Sequence, residues 1–238
     1  MEVASLYREP ERGEQLDFGA LEYRDVYKIF RTGPVETVAL RGLDLRIERS
    51  EVVALFGPSG SGKTTALQLA AGLDEPSAGE IRVFGRSLTR ADDDELARYR
   101  ASEVAIVFQR GNLWPLLSAR QNVELALRLA GRRRDVGRLV DDSLDAFGVR
   151  GSEHVRAGLL SGGEQQRVAI AAAAARAAPL TLADEPTAEL DERNEATVLR
   201  ALRRLREIFG STVVVVTHSP RVADAVDRVI EVRDGAVA

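Results

Sequence analysis

Apolar residues in this chain fall into two kinds of run. Short, continuous, β-branched-rich runs occur at Glu51–Phe56, Ile81–Phe84, Val104–Phe108, Leu180–Ala183, Thr212–Val216 and Arg228–Val232. Runs of that length without polar alternation are expected of strands buried on both faces. Elsewhere the spacing turns helical: Lys63–Ala71, stopped by Gly72, then Gln121–Ala130, Val136–Phe147 and Gln165–Ala178. Strands alternating with helices predict an α/β fold with a mostly parallel sheet. From about Leu113 to Ala178 there are three helical patterns and no strand pattern, which reads as a helical subdomain inserted into the α/β core. Residues 1–20 read as a flexible tail, and 21–238 as one domain with the helical insertion at about 110–178. The run Ala171–Ala175 reads simply as a strong helix former.

The turn after the first of these strands changes the picture from fold to chemistry. Gly57-Pro58-Ser59-Gly60-Ser61-Gly62-Lys63-Thr64 fits the pattern G-x-x-x-x-G-K-[ST], between a strand and a helix. Its glycines let backbone N–H groups turn inward around phosphates, and the helix start adds partial positive charge. Lys63 is placed to reach the β- and γ-phosphates, and the Thr64 hydroxyl to ligate Mg²⁺. Thr65 follows in the same helix and joins the nucleotide-binding set. A Gly/Ser-rich surface loop with a chance lysine is the bland alternative.

Leu180-Thr181-Leu182-Ala183-Asp184-Glu185 is a mostly apolar strand ending in two carboxylates. Beside a phosphate loop, Asp184 fits a Walker-B aspartate that holds Mg²⁺ through water. Glu185 is then placed to orient and deprotonate an attacking water. That arrangement suggests hydrolysis of a nucleotide rather than transfer to a second small substrate.

Composition narrows the remaining options. The 238 residues carry 33 basic and 37 acidic side chains, a net charge of −4, so no global basic footprint for nucleic acid exists. Cys is absent and only His154 and His218 are present, which excludes thiol catalysis, a disulfide framework and a multi-His metal site. No stretch of ~20 apolar residues suggests a membrane span. The N-terminus lacks the apolar middle of a signal peptide, so a cytosolic chain is expected.

Leu160-Ser161-Gly162-Gly163-Glu164-Gln165-Gln166-Arg167 decides among phosphate-loop proteins. Physically it is a flexible, donor-rich turn opening a long helix, and therefore a second anion site. The segment resembles the signature of ABC ATPases, the nucleotide-binding subunits of ABC transporters, and the resemblance runs from about Leu21 to the C-terminus. It implies a P-loop NTPase core, an N-terminal antiparallel β subdomain and an inserted helical subdomain. It also implies ATP and Mg²⁺, and a head-to-tail dimer in which Ser161, Gly162, Gly163 and Glu164 face the partner's nucleotide. Gln109 matches the Q-loop glutamine, near Mg²⁺ and the attacking water. Asp191 matches the D-loop aspartate, and His218 the switch histidine that contacts the γ-phosphate. Phe30 matches the aromatic that stacks on adenine, with Tyr27 as the alternative. His154 has no such match and reads as a surface residue.

Asn112-Leu113-Trp114-Pro115-Leu116-Leu117-Ser118-Ala119, Asn122-Val123-Glu124-Leu125 and the spacing around Gly33–Leu40 resemble the lipoprotein-releasing and macrolide-export group. That implies a separate integral membrane permease as partner, a homodimer or a pairing with a related ATPase, and a peripheral position at the inner face of the cell membrane. No nucleic-acid partner is expected. An ATPase driving a regulator of cell-wall enzymes is the alternative, and a soluble ABC ATPase the weaker one. The chain ends soon after its last strand, so no added regulatory domain is expected. Ala172, Ser50, Thr181 and Glu189 depart from the family pattern. Of these, Glu189 adds negative charge near the expected dimer interface.

Overall fold

The computed structural model describes residues 18–188 and 190–238. The residues expected to form most of the tail, and the departure at Glu189, lie outside the described residues.

Strand β3 (Val52–Phe56) runs through the middle of a six-stranded sheet, between β8 (Thr212–Thr217) and β9 (Arg228–Arg233). Beyond β8 lie β7 (Leu180–Asp184) and β6 (Val104–Val107), and all five are parallel. A short antiparallel strand, β10 (Ala236–Val237), pairs with β9 at one edge. The lack of polar alternation in these strands has a direct cause. Val213 and Val215 face one hydrophobic core, and Val214 and Val216 face the other. Both faces are covered, so both sets of alternate positions are mostly apolar, with buried threonines such as Thr181 and Thr212 as exceptions.

On one face lies a four-stranded antiparallel sheet. A long hairpin, β1 (Leu21–Thr32) and β2 (Val35–Ile47), pairs through β1 with β4 (Ala78–Val83), and β4 with β5 (Arg86–Ser87). Two helices, α1 (Lys63–Ala70) and α2 (Asp93–Ser102), fill the space between the sheets. Buried phenols tie them down: Tyr23 Oη donates to Ala66 O at 2.7 Å, and Tyr99 Oη to Ala70 O at 2.6 Å.

On the other face lie α3 (Ala119–Leu129), α4 (Val136–Ala146), α5 (Gly162–Arg176) and α6 (Glu192–Phe209). Helix α5 is the common partner of α3, α4 and α6. It is buried on nearly every side, and its Ala173, Ala174 and Ala175 let neighbours approach closely. The alanine run thus has a packing role beyond helix propensity. The short helix α7 (Pro220–Ala223) follows β8.

The observed starts of α3 and α5 precede the periodicity-based starts at Gln121 and Gln165. Periodicity begins only where apolar spacing begins, whereas the helices begin at their caps. Ser118 with Gln121, and Ser161 with Glu164, each form a reciprocal capping box. Strand β7 ends at Asp184, so of the two carboxylates read at the strand's end Glu185 lies just beyond it.

Candidate functional site

The parallel topology gathers the chemistry at one edge of the sheet. Phe56 is in register with Thr217, and Asp184 with Val216. The segments leaving β3, β7 and β8 therefore emerge side by side at the strands' carboxyl ends, where α/β sheets bind ligands.

The turn Gly57–Gly62 curls into the start of α1. Gly62 occupies its N-cap position with φ +97°, a left-handed conformation open to glycine. A Cβ there would lie 2.4 Å from Ala39 O and 2.8 Å from Leu40 Cδ2 of β2. Gly62→Ala should therefore cost about 2 kcal/mol of stability from strain and close contact. A lowered Tm together with weakened nucleotide binding is the expected result. Lys63 is buried within the turn, where Nζ donates to Gly57 O at 2.8 Å and Pro58 O at 2.7 Å. Burial pushes its pKa down from the ordinary lysine value, while Glu185 and Asp184 oppose that shift.

The hydroxyl of Thr64 donates to Asp184 Oδ1 at 3.0 Å. Burial pushes the Asp184 carboxyl up from its ordinary range and neighbouring Glu185 adds to this, whereas Thr64 and Lys63 pull it down. Glu185 leaves β7 with φ +45°, a conformation uncommon for a residue with a side chain. Its backbone N–H donates to Val216 O at 2.9 Å, which holds this bend against β8. Glu185 Oε1 lies 2.8 Å from His218 Nδ1. An ionised carboxylate only accepts, so Nδ1 carries the proton in that state and Nε2 remains available.

Gln109, two residues past β6, lines a cleft of about 330 Å³ with Gly162, Gln166, Glu185, Ala188 and Leu190. Gln166 is buried and organises this wall. Its Nε2 donates to Phe108 O at 3.1 Å and Gln109 O at 2.9 Å, and its Oε1 accepts from Asn112 Nδ2 at 3.1 Å. Sequence reasoning gave Gln166 no task, although it stands inside the signature segment. A buried-face glutamine one turn into a helix was the available signal.

The second anion-binding candidate, the start of α5, sits apart from the first. Among the described residues no hydrogen bond or ion pair joins Ser161–Gly163 to Gly57–Thr64. Glu164, expected to face nucleotide, turns its carboxylate onto its own chain. It accepts from Ser161 Oγ at 2.7 Å, Ser161 N at 3.0 Å and Ser152 Oγ at 3.1 Å. These bonds, Ser161's first, hold its pKa below the usual carboxylate range. Asp191 caps α6 by accepting from Asn194 N at 2.8 Å. The starts of α5 and α6 also touch, since a Cβ on Gly163 would lie 2.6 Å from Asn194 Oδ1.

Phe30 and Tyr27 are both exposed on β1. The ring of Phe30 carries Lys28 Nζ 5.0 Å from its centroid, and Lys28 Nζ also donates to Asp74 at 2.6 Å. The hydroxyl of Tyr27 instead lies against Gly42. His154 is exposed and lies 3.3 Å from Glu153. Ser50, a departure from the family pattern, adopts φ +54°, and its hydroxyl donates to Gly210 O at 2.8 Å.

The family described as ABC transporter matches residues 40–188. The chain is 42% identical over 219 residues to the lipoprotein-releasing system ATP-binding protein LolD of Anaeromyxobacter dehalogenans, covering 91% of this chain and 92% of that one. It is also 42% identical over 221 residues to the macrolide export ATP-binding/permease protein MacB of Chromobacterium violaceum. There the match covers 91% of this chain and 34% of MacB, so the chain spans about a third of that relative. Among solved structures, the ATP-binding cassette MJ0796 of Methanocaldococcus jannaschii, a post-hydrolysis dimer bound to ADP and Pi, superposes with a TM-score of 0.83. That match has 38% identity and covers 91% of this chain and 96% of the other. The chain belongs to the ABC transporter family. It is an ATP-hydrolysing cassette of the type found in LolD and MacB.

Proposed function

We propose that the chain is the ATPase subunit of an ABC transporter, that two copies close head to tail around two ATP molecules, and that this motion drives a separate membrane permease. The permease is read as an exporter or extractor, in keeping with the names of LolD and MacB. One observation supports the dimer: the start of α5, read as a second nucleotide site, makes no hydrogen bond or ion pair with the chain's own phosphate loop, and the similar cassette MJ0796 is a dimer bound to ADP and Pi. A second copy supplies the missing juxtaposition. Among the described residues no helix is long and apolar enough to cross a membrane.

In this reading the inward N–H groups of Gly57–Gly62 and the Lys63 ammonium bind the phosphates. The Thr64 hydroxyl and the Asp184 carboxylate, 3.0 Å apart, are hard oxygen donors that suit Mg²⁺, with Gln109 as a further donor. Bound there, Mg²⁺ neutralises charge on the phosphate oxygens. Glu185 takes the proton from the attacking water. Nδ1 of His218 orients Glu185, and its Nε2 faces the γ-phosphate. Ser161 and the N–H groups of Gly162 and Gly163 hold the nucleotide of the other copy. Asp191 meets that copy at the interface, and Phe30 stacks on adenine.

The permease is proposed to dock on the exposed apolar rim beside Gln109. Trp114 is 65%, Leu116 79% and Leu159 77% exposed, and the two loops are joined by Ala157 N–H···Leu117 O at 2.8 Å and Gly158 N–H···Pro115 O at 3.0 Å. A pull-down from detergent-solubilised native membranes, using ATP and the Glu185→Gln protein, tests the proposal. A co-purifying permease supports it, whereas a cell-wall-enzyme regulator or only non-membrane partners would remove the transport role. On the Glu185→Gln background, Leu116→Asp should abolish that recovery. Leu116→Asp alone should retain basal ATPase, and loss of both activities together would exclude this docking rim.

A further inference from the structure

One buried carboxylate has no part in the account above. Glu195 lies in the first turn of α6 and is only 8% exposed. An acid there is favourable to the helix dipole without burial, so the dipole does not explain its contacts. Its Oε1 accepts from Ser219 Oγ at 2.9 Å and from Thr187 Oγ1 at 3.3 Å, and Oε2 faces Arg221 Nη1 at 3.5 Å. Ser219 is the residue after His218. Thr187 is two residues after Glu185, in the turn where Ala188 N donates to Glu185 O at 3.2 Å. Arg221, in α7, also pairs with Glu192, which ties the segment after β8 to the same helical turn a second time. A single carboxylate oxygen thus joins the two segments that carry the Glu185–His218 pair.

Glu195 has a further neighbour of consequence. The preceding residue, Asn194, packs against Gly163 at the start of α5 and donates to Asp191 Oδ2 at 3.1 Å. This turn of α6 thus contacts Thr187 and Ser219 on one side and Gly163 on the other.

We infer that Glu195 is a positioning residue for ATP hydrolysis, which sets the Glu185–His218 geometry and links it to the Ser161–Gly163 turn that serves the other copy's nucleotide. The inference rests on the proposed roles of Glu185 and His218. Oriented groups lose rate steeply when displaced by fractions of an ångström to an ångström, so the effect should fall on turnover rather than on nucleotide affinity.

The test compares kcat, KM for ATP and Tm of the full chain in Glu195→Ala, Glu195→Gln, Ser219→Ala and the double variant Glu195→Ala/Ser219→Ala. Glu195→Ala should lose about tenfold in kcat with KM within about twofold of the parent protein. Glu195→Gln keeps an accepting oxygen for both hydroxyls and should recover most of that loss. The double variant should be no slower than Glu195→Ala, because both changes break one link. Parent-like kcat in Glu195→Ala, a Gln variant as slow as the Ala variant, or additive losses in the double would each overturn the inference. If Glu195→Ala does not fold, the Gln and Ser219→Ala variants decide it, since parent-like kcat in Ser219→Ala removes the link. Glu185→Gln, measured alongside, separates the two levels. Normal hydrolysis there would sink the underlying site, whereas an inactive Glu185→Gln beside a parent-like Glu195→Ala would sink only the role of Glu195.

Discussion

Glu185→Gln should bind ATP as the parent protein does, lose most of its turnover and accumulate as an ATP-dependent dimer. The amide keeps the size of the side chain and an oxygen able to accept from His218 Nδ1, which lies 2.8 Å from Glu185 Oε1. It cannot take a proton from water at neutral pH. A positioned general base is typically worth roughly 10²–10⁴-fold in rate, and a loss of that order is expected in single-turnover hydrolysis. The phosphate turn and the start of α5 are untouched, so closure around ATP should proceed and then stall. Hydrolysis near the parent rate would remove Glu185 as the base and with it the orienting task of His218 Nδ1.

Lys63→Ala should fail earlier, at binding. The Lys63 ammonium sits within the Gly57–Gly62 turn, held by two backbone carbonyls at 2.8 and 2.7 Å. Losing charge-assisted hydrogen bonds to phosphate costs about 2 kcal/mol, or roughly 30-fold in affinity. Equilibrium titration with a fluorescent ATP analogue reads this directly, and an unchanged Kd would contradict the placement of the phosphates. The variants therefore differ in kind. One binds without turning over, whereas the other turns over slowly because it binds poorly.

Motifs that lie within a few consecutive residues were legible before the fold was known. The Gly57–Thr64 turn needs its residues side by side, and so does the Asp184–Glu185 strand end. The α/β class followed from continuous apolar runs, because burial on both faces leaves that trace in every central strand. Contacts between segments leave no local pattern, and those at the phosphate site were expected only by way of the motifs and the family resemblance. Thr64 and Asp184 are 120 positions apart, and only the order of β3, β8 and β7 brings them to 3.0 Å. The Glu195 link draws on a turn, a helix and a loop, each of ordinary composition. The S-x-x-E spacing of Ser161 and Glu164 also signals the capping box that opens α5, as plainly as it signals the family. The long β1–β2 hairpin left a weak trace, since β2 alternates exposed and buried positions only along its second half. Helix α6, by contrast, leaves a clear helical trace, with Val198, Ala201, Leu202 and Leu205 on one face among arginines and glutamates.

The proposed mechanism stands on two copies sharing two ATP molecules. The mass of the Glu185→Gln protein in solution, with and without saturating ATP, tests that directly. A 25.9 kDa chain should run as a monomer without nucleotide and at twice that mass with ATP. A species that binds ATP and stays at the monomer mass would contradict the account, because the Ser161–Gly163 turn would then have no nucleotide to hold.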